Sequence, residues 1–124
     1  MANNASIICD TNVLAFFLDG DIEAGRIFEK NDVMFSSITY IEILSNKKLT
    51  SARRELLRNF LDAFTVIETS QIINSFSINM RLNYNLDTPD AIIATTVKYL
   101  NVPLITADSS FFKMKDINVV KFEK

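Results

Sequence analysis

Four acidic residues have the types and positions that metal-assisted phosphoryl chemistry requires. Asp10 directly follows a short apolar run near the N-terminus, and Asp108 follows a second apolar run near the C-terminus. Apolar runs that end in an acid are typical of strand ends in an α/β sheet, where ligands bind in the crevice beyond the carboxyl ends of the strands. Glu42 and Asp90 lie on two helical stretches between these runs. We call these four residues the acid cluster.

Carboxylates gathered in one crevice repel one another, and only a bound cation or protonation relieves that repulsion. Mg²⁺ prefers oxygen ligands and keeps several waters, so two or three carboxylates suit it well. Thr11, Asn12 and Thr106 adjoin the acids and are predicted to orient water or a phosphate oxygen around such a site. The pattern therefore predicts a divalent metal site and, through it, phosphoryl chemistry.

Each acid also has a purely structural explanation. Asp10 and Asp108 fit helix N-caps, and Asp90 fits the first helical turn, which the helix macrodipole favours for an acid. Glu42 fits a surface position on its helix, but its neighbours between residues 40 and 44 are otherwise aromatic or aliphatic. We therefore expect Glu42 to be partly buried and to need a partner, because buried carboxylates are rarely left unpaired.

The composition excludes several other kinds of site. The 124 residues include no histidine, which removes Ser–His and Cys–His catalysis and the commonest zinc sites. The one cysteine, Cys9, lies in the first apolar run and is expected to be a buried small hydrophobe. No apolar run approaches the roughly 20 residues that span a bilayer, and the first residues do not resemble a signal peptide. A cytoplasmic protein without membrane attachment is the expectation.

The formal net charge of −2 argues weakly against a nucleic-acid-binding protein, but the basic residues are unevenly distributed. Five of the thirteen lie between residues 47 and 58, which we call the basic segment. A solvated helix face is the ordinary interpretation of such a run, and a patch that steers phosphates towards the acid cluster is the functional one. The residues concerned are Lys47, Lys48, Arg53, Arg54 and Arg58.

Apolar periodicity predicts strands that alternate with helices along the whole chain. Thr88 and Pro89 are expected to open the helix that carries Asp90, as its cap and first position. This alternation is typical of a single α/β domain, over residues 1–124, with a mostly parallel sheet. The predicted strands cover residues 5–9, 33–35, 65–67, 103–106 and 119–122.

Four sequence blocks in a fixed order resemble one known family. The chain is similar to the PIN-domain ribonucleases, and most closely to the VapC-type toxins of bacterial toxin–antitoxin pairs. Each block carries one acid of the cluster, and together they span nearly the whole chain. The blocks are residues 7–14, residues 37–44, residues 89–96 preceded by Arg81 and Tyr84, and residues 103–108 followed by Phe111.

The resemblance implies a PIN-like three-layer sandwich, in which helices flank a five-stranded, mostly parallel sheet. It also implies an endoribonuclease that depends on Mg²⁺ or Mn²⁺, with the acid cluster at the positions of the family's metal-binding acids. The family's threonine before the last acid falls on Thr106, and its early Asn or Ser falls on Asn12. Such toxins commonly form homodimers, and a small antitoxin blocks their site. Many relatives carry a further acid or Asn where this chain has Ser110, so the resemblance leaves open whether the site holds one metal ion or two.

The sequence leaves three functions open. In the first, Asp10 and Asp90 bind a metal directly, Glu42 and Asp108 complete the shell, and the site hydrolyses RNA phosphodiester bonds. In the second, the protein is an aspartyl-phosphate phosphatase or receiver domain, although the phosphatase pattern requires an Asp where this chain has Asn12. In the third, it is a catalytically inactive PIN-fold module that binds RNA or protein.

Overall fold

Strands and helices alternate along residues 5–123, which is the part of the chain that the computed structural model describes. Every predicted strand is present, and no strand end differs from its predicted position by more than one residue. The strands are β1 (Ser6–Cys9), β2 (Asp32–Ser36), β3 (Thr65–Ile67), β4 (Leu104–Thr106) and β5 (Val119–Lys121). The helices are α1 (Thr11–Leu18), α2 (Ile22–Lys30), α3 (Ser37–Leu44), α4 (Ser51–Leu61), α5 (Gln71–Tyr84) and α6 (Thr88–Leu100), followed by a 3₁₀ turn at Ser109–Phe111.

The five strands form one parallel sheet in the order β3-β2-β1-β4-β5. From β1 the chain runs outward to β2 and β3, and then returns through α5 and α6 to β4 on the other side of β1. The direction of winding therefore reverses between β1 and β4, which pair through Cys9 and Ile105. Such a switch point opens a crevice beyond the carboxyl ends of the two strands.

Two apolar cores cover the two faces of the sheet, because successive strand residues point to opposite sides. Ile7 and Cys9 pack in one core, and Ile8 between them packs in the other. Buried side chains of α1, α2, α3 and α4 complete the first core, while α5 and α6 cover the second. The predicted three-layer α/β sandwich with a parallel sheet is confirmed.

Helix α6 begins one residue earlier than its sequence suggested. Its N-cap is Asp87, whose Oδ1 accepts a hydrogen bond from the Asp90 amide at 3.0 Å. Thr88 and Pro89 therefore occupy the first two helical positions, and the prediction of Thr88 as the cap is wrong. The carboxylate of Asp87 reaches the amide of the third helical residue, which is the preferred capping contact. This register places Asp90 in the first turn, at the carboxyl edge of the sheet.

None of the helices within residues 5–123 is both long enough and apolar enough to cross a membrane.

Candidate metal site

Asp10 extends the central strand pairing by one step and then starts a helix. Its amide donates to the Ile105 carbonyl at 3.0 Å, so Asp10 lies beside Thr106 at the carboxyl end of β4. Its Oδ1 accepts a hydrogen bond from the Thr11 amide at 2.8 Å, which makes Asp10 the N-cap of α1. The residue is only 4% exposed. The capping explanation is therefore correct for Asp10, and it also fixes the carboxylate in the crevice between β1 and β4.

Thr106 and Asn12 hold the second oxygen of the Asp10 carboxylate. The Thr106 hydroxyl donates to Asp10 Oδ2 at 2.6 Å and accepts from the Asp108 amide at 3.0 Å. Asn12 Nδ2 donates to the same Oδ2 at 3.3 Å, and Asn12 Oδ1 accepts from the Ala107 amide at 3.2 Å. These contacts join the start of α1 to the end of β4, so the positions of Asp10 and Asp108 depend on one hydrogen-bond network.

Glu42 is exposed, so the expectation of partial burial is wrong. The apolar neighbours that suggested burial do not all face the core: Ile41 is itself 57% exposed, because α3 buries only Thr39 and Leu44. Glu42 nevertheless turns towards the crevice, where its Oε1 accepts from the Thr11 hydroxyl at 2.6 Å. That hydroxyl also lies 3.0 Å from Oγ1 of the fully buried Thr39, a residue that the sequence did not single out.

Asp108 and Asp90 approach the crevice from its other sides. Asp108 caps the 3₁₀ turn, and its Oδ1 accepts from both the amide and the hydroxyl of Ser110, at 3.0 and 2.8 Å. Ser110 is therefore a donor to Asp108. Asp90 is half-buried in the first turn of α6.

The four carboxylates act on one another electrostatically. Burial, which is the largest cause, and the charges of Asp87, Asp108, Asp10 and Glu42 together raise the pKa of Asp90 to about 7. Burial likewise raises the pKa of Asp10, against the opposing hydrogen bonds from Thr106 and Thr11, while the charges of Asp108 and Glu42 add to the increase. The structure thus brings all four acids of the cluster into one region of negative potential.

The donors of the acid cluster fit a hard divalent cation in chemistry and charge. All are carboxylate oxygens, and within residues 5–123 none of the four acids forms a salt bridge with a basic side chain. In the same part of the chain, no three acidic or cysteine side chains are already arranged as ligands around one point. Binding a cation therefore requires side-chain rotation, which is rapid for an exposed residue such as Glu42.

The basic segment divides into two kinds of residue. Arg54 is tied to the backbone: its Nε donates to the Leu44 carbonyl at 2.9 Å, and its Nη2 donates to the carbonyls of residues 46 and 49. Arg58 lies 3.6 Å from Glu55 in an exposed pair of a kind that contributes little to stability. The three other basic residues, Lys47, Lys48 and Arg53, are exposed.

Cys9 is fully buried, and burial raises the pKa of its thiol well above the usual range. A buried thiol with such a pKa is a poor nucleophile. The structure therefore agrees with the expectation that Cys9 is a small core residue.

The structure is similar to several solved proteins. A toxin–antitoxin complex from Klebsiella pneumoniae contains a chain that is 31% identical, with a TM-score of 0.81 and with 92% of this chain and 95% of that chain covered. A DNA-bound VapBC from Salmonella typhimurium gives 18% identity, a TM-score of 0.82 and coverage of 94% and 98%. VapBC2 from Rickettsia felis, bound to a promoter DNA fragment, gives 17% identity, a TM-score of 0.78 and coverage of 95% and 99%. Because the Salmonella and Rickettsia proteins are less than 20% identical to this chain, their similarity concerns the fold alone.

Comparison of the sequence with models of protein families assigns the chain to a family. No curated protein sequence matches the chain significantly. The family model of the PIN domain, however, matches residues 7–117, which contain all four members of the acid cluster. The predicted similarity to VapC-type toxins is confirmed, and the chain belongs to the PIN domain family.

Proposed function

We propose that the chain acts as a single-domain, Mg²⁺- or Mn²⁺-dependent endoribonuclease and as the toxin of a toxin–antitoxin pair. The observation that carries this proposal is the acid cluster: four carboxylates from separate segments share one crevice without a basic partner among the described residues. Membership of the PIN domain family supports it and argues against the aspartyl-phosphate alternative. The 31% identity to a chain of a toxin–antitoxin complex supports the role as a toxin.

Asp10 and Asp90 would hold the cation directly, and Glu42 and Asp108 would complete its shell. When bound, the cation supplies Lewis-acid assistance to phosphodiester hydrolysis and neutralises the charge of the site. Thr106 fixes the rotamer of Asp10 by its 2.6 Å hydrogen bond. Thr11, Asn12 and Thr106 thus act on the reaction by holding the carboxylates in place, and an oxygen of Glu42 or Asp108 orients the attacking water.

The exposed part of the basic segment would attract the RNA backbone. Glu42 lies in the last turn of α3, and Lys47 and Lys48 come five and six residues after it in the sequence. Their positive charges are therefore close along the chain to one member of the acid cluster. Exposed ammonium and guanidinium groups bind phosphates without base preference and steer RNA to the site. The guanidinium of Arg54 has a structural role instead, because its Nε and Nη2 donate to three backbone carbonyls.

A cognate antitoxin and a second copy of the chain are the proposed protein partners. The relatives from Klebsiella, Salmonella and Rickettsia are all toxin–antitoxin complexes or VapBC proteins. Several large apolar side chains of this chain are exposed, and Ile78 and Leu82 lie one turn apart on the same face of α5, where a partner could cover both. They include Leu56 on α4 and Ile72, Ile78 and Leu82 on α5.

Cleavage of a structured RNA with and without divalent cations tests the proposed function. We expect cleavage with Mg²⁺ or Mn²⁺, none in EDTA, and recovery when the cation is restored. Asp10→Asn should remove at least about 99% of the rate, the range seen when a group that stabilises the transition state is lost. Asp32→Asn is the matched control, because Asp32 is exposed at the opposite end of the sheet.

Cleavage that persists in EDTA, or that Asp10→Asn leaves unchanged, would contradict the metal-dependent mechanism. Growth arrest on expression in a bacterial host, absent with Asp10→Asn, tests the role as a toxin separately.

A further inference from the structure

A cleft between α5 and α6 contains a buried hydroxyl that has no partner. Thr95 is 2% exposed, and its Oγ1 makes no hydrogen bond with any group in residues 5–123. The adjacent Thr96 shows the ordinary solution for a helical threonine, since its hydroxyl donates to the Ile92 carbonyl at 2.7 Å. An unpaired buried hydroxyl is costly, so the side chain of Thr95 indicates a polar group that is bound there from outside the chain.

The cleft around Thr95 has the size and lining of a small-molecule site. Its volume is about 450 Å³, within the range of ligand pockets in general. Phe76 and Tyr99 line it from the two helices and are 54% and 57% exposed, which places two aromatic rings within reach of a ligand. Asn79 and Asn83 line it from α5 and offer amide donors and acceptors.

The charges in the cleft compensate each other. Lys98 Nζ lies 3.2 Å from Asp116 Oδ2, and Asp116 also accepts a short hydrogen bond from the Tyr84 hydroxyl. The charge of Lys98 is therefore compensated by Asp116, whose carboxylate would also repel a phosphate brought to the ammonium group. A neutral, flat ligand with hydrogen-bonding edges suits the cleft better than an anion.

We infer that this cleft binds a nucleobase. The base stacks against Phe76 and Tyr99, and its polar edge meets the amides of Asn79 and Asn83 and the hydroxyl of Thr95. Aromatic stacking combined with amide contacts to base edges is how proteins bind unpaired bases. None of the four acids of the cluster lines the cleft, so the cleft is a separate site. The base belongs either to an RNA strand or to a free nucleoside.

NMR titration of the ¹⁵N-labelled protein in EDTA tests this inference, because EDTA removes the proposed metal chemistry from the experiment. The probes are adenosine, uridine and a mixed-sequence pentaribonucleotide, each added separately. We expect the largest shifts at the side-chain amides of Asn79 and Asn83 and at the backbone amides of residues 95–99. Tighter binding of the pentanucleotide than of the nucleosides assigns the cleft to RNA, and equal binding assigns it to a free nucleoside.

Three variants make the test specific. Tyr99→Ala should raise the Kd by roughly tenfold or more, the usual loss for a base-stacking ring. Leu100→Ala is the control, because Leu100 follows Tyr99 on α6, is exposed and does not line the cleft. Thr95→Val removes the unpaired buried hydroxyl, so it should raise the melting temperature of the free protein. The probe should then raise the melting temperature of this variant by less than it raises that of the parent protein.

No shift at the cleft with millimolar nucleoside and with pentanucleotide would overturn the inference, as would an unchanged Kd in Tyr99→Ala. Failure of this test leaves the metal-dependent cleavage assay unaffected, so the two proposals fail separately.

Discussion

The acid cluster and the basic segment differ in how the fold holds their residues. The four acids come from four distant parts of the chain, and hydrogen bonds to neighbouring hydroxyl and amide groups position three of the carboxylates. The basic residues lie close together in sequence, and apart from Arg54 they are exposed. The acid cluster works through geometry, so its members depend on one another. The basic segment works through summed charge, so its members act independently.

The largest predicted effect is non-additivity within the acid cluster. Asp10→Asn and Asp90→Asn should each lower kcat/KM for an RNA substrate by at least about 100-fold, and the double variant should lose little more, as for groups that act as a unit. Kinetics of the two single variants and the double variant with a fluorescent RNA give the answer. Losses that multiply in the double variant would show that the two carboxylates act separately.

The next effect concerns the hydroxyl that holds Asp10. Thr106→Val keeps the side-chain volume but removes the donor to Asp10 Oδ2, and Thr106→Ser keeps the donor. Loss of a group that orients a metal ligand typically costs about 10–100-fold in metal affinity. Mn²⁺ titration should show that loss for Thr106→Val and near-normal affinity for Thr106→Ser. Equal affinities in the two variants would assign Thr106 a packing role only.

The basic segment should respond in proportion to charge. Replacing Lys47, Lys48 and Arg53 with Ala, one at a time in catalytically inactive Asp10→Asn protein, should make RNA binding less dependent on salt. The slope of the logarithm of the binding constant against the logarithm of the salt concentration should fall by about 0.7 per residue for single-stranded RNA.

Arg54→Ala should instead lower the melting temperature, because three backbone carbonyls lose the hydrogen bonds that Arg54 donates. A normal melting temperature for Arg54→Ala would erase the distinction between these basic residues.

The smallest effect is on the stability of the metal-free protein. The pKa of Asp90 is raised to about 7 in the folded state, above its ordinary value, so the folded protein binds the extra proton more readily than the unfolded chain does. The ionised carboxylate therefore destabilises the fold above about pH 7, and this cost disappears as the pH falls towards 4. Asp90→Asn should be more stable than the parent protein at pH 8 in EDTA, and the difference should shrink at low pH. Denaturant unfolding at both pH values measures it, and a constant difference would contradict the predicted repulsion.

The acids that end strands were predictable from the sequence, because a strand end has a clear local signal. Asp10 and Asp108 follow short apolar runs that are typical of buried strands, and parallel pairing of those strands brings both residues to the same edge. The start of α6 was predictable to within one residue, since the pattern of Asp87, Thr88 and Pro89 contains two adequate caps. The sequence alone could not decide which of the two would reach the Asp90 amide.

Tertiary contacts account for what the sequence did not reveal. The exposure of Glu42 depends on where α3 lies against the sheet, and the apolar Ile41 beside it is exposed for the same reason. Arg54 resembles the other basic residues in sequence, but the loop between α3 and α4 closes around its guanidinium. The contact of Thr39 with Thr11 joins two helices, and no local pattern indicates it.

Mn²⁺ binding to the purified protein, measured by calorimetry without RNA, tests the central claim most directly. If the acid cluster shares one cation, the parent protein and Asp32→Asn should each bind one Mn²⁺ per chain, and Asp10→Asn and Asp90→Asn should bind none at the same concentrations. Absence of Mn²⁺ uptake by the parent protein, or uptake that survives both substitutions, would contradict a shared metal site and favour an inactive PIN-fold binding module.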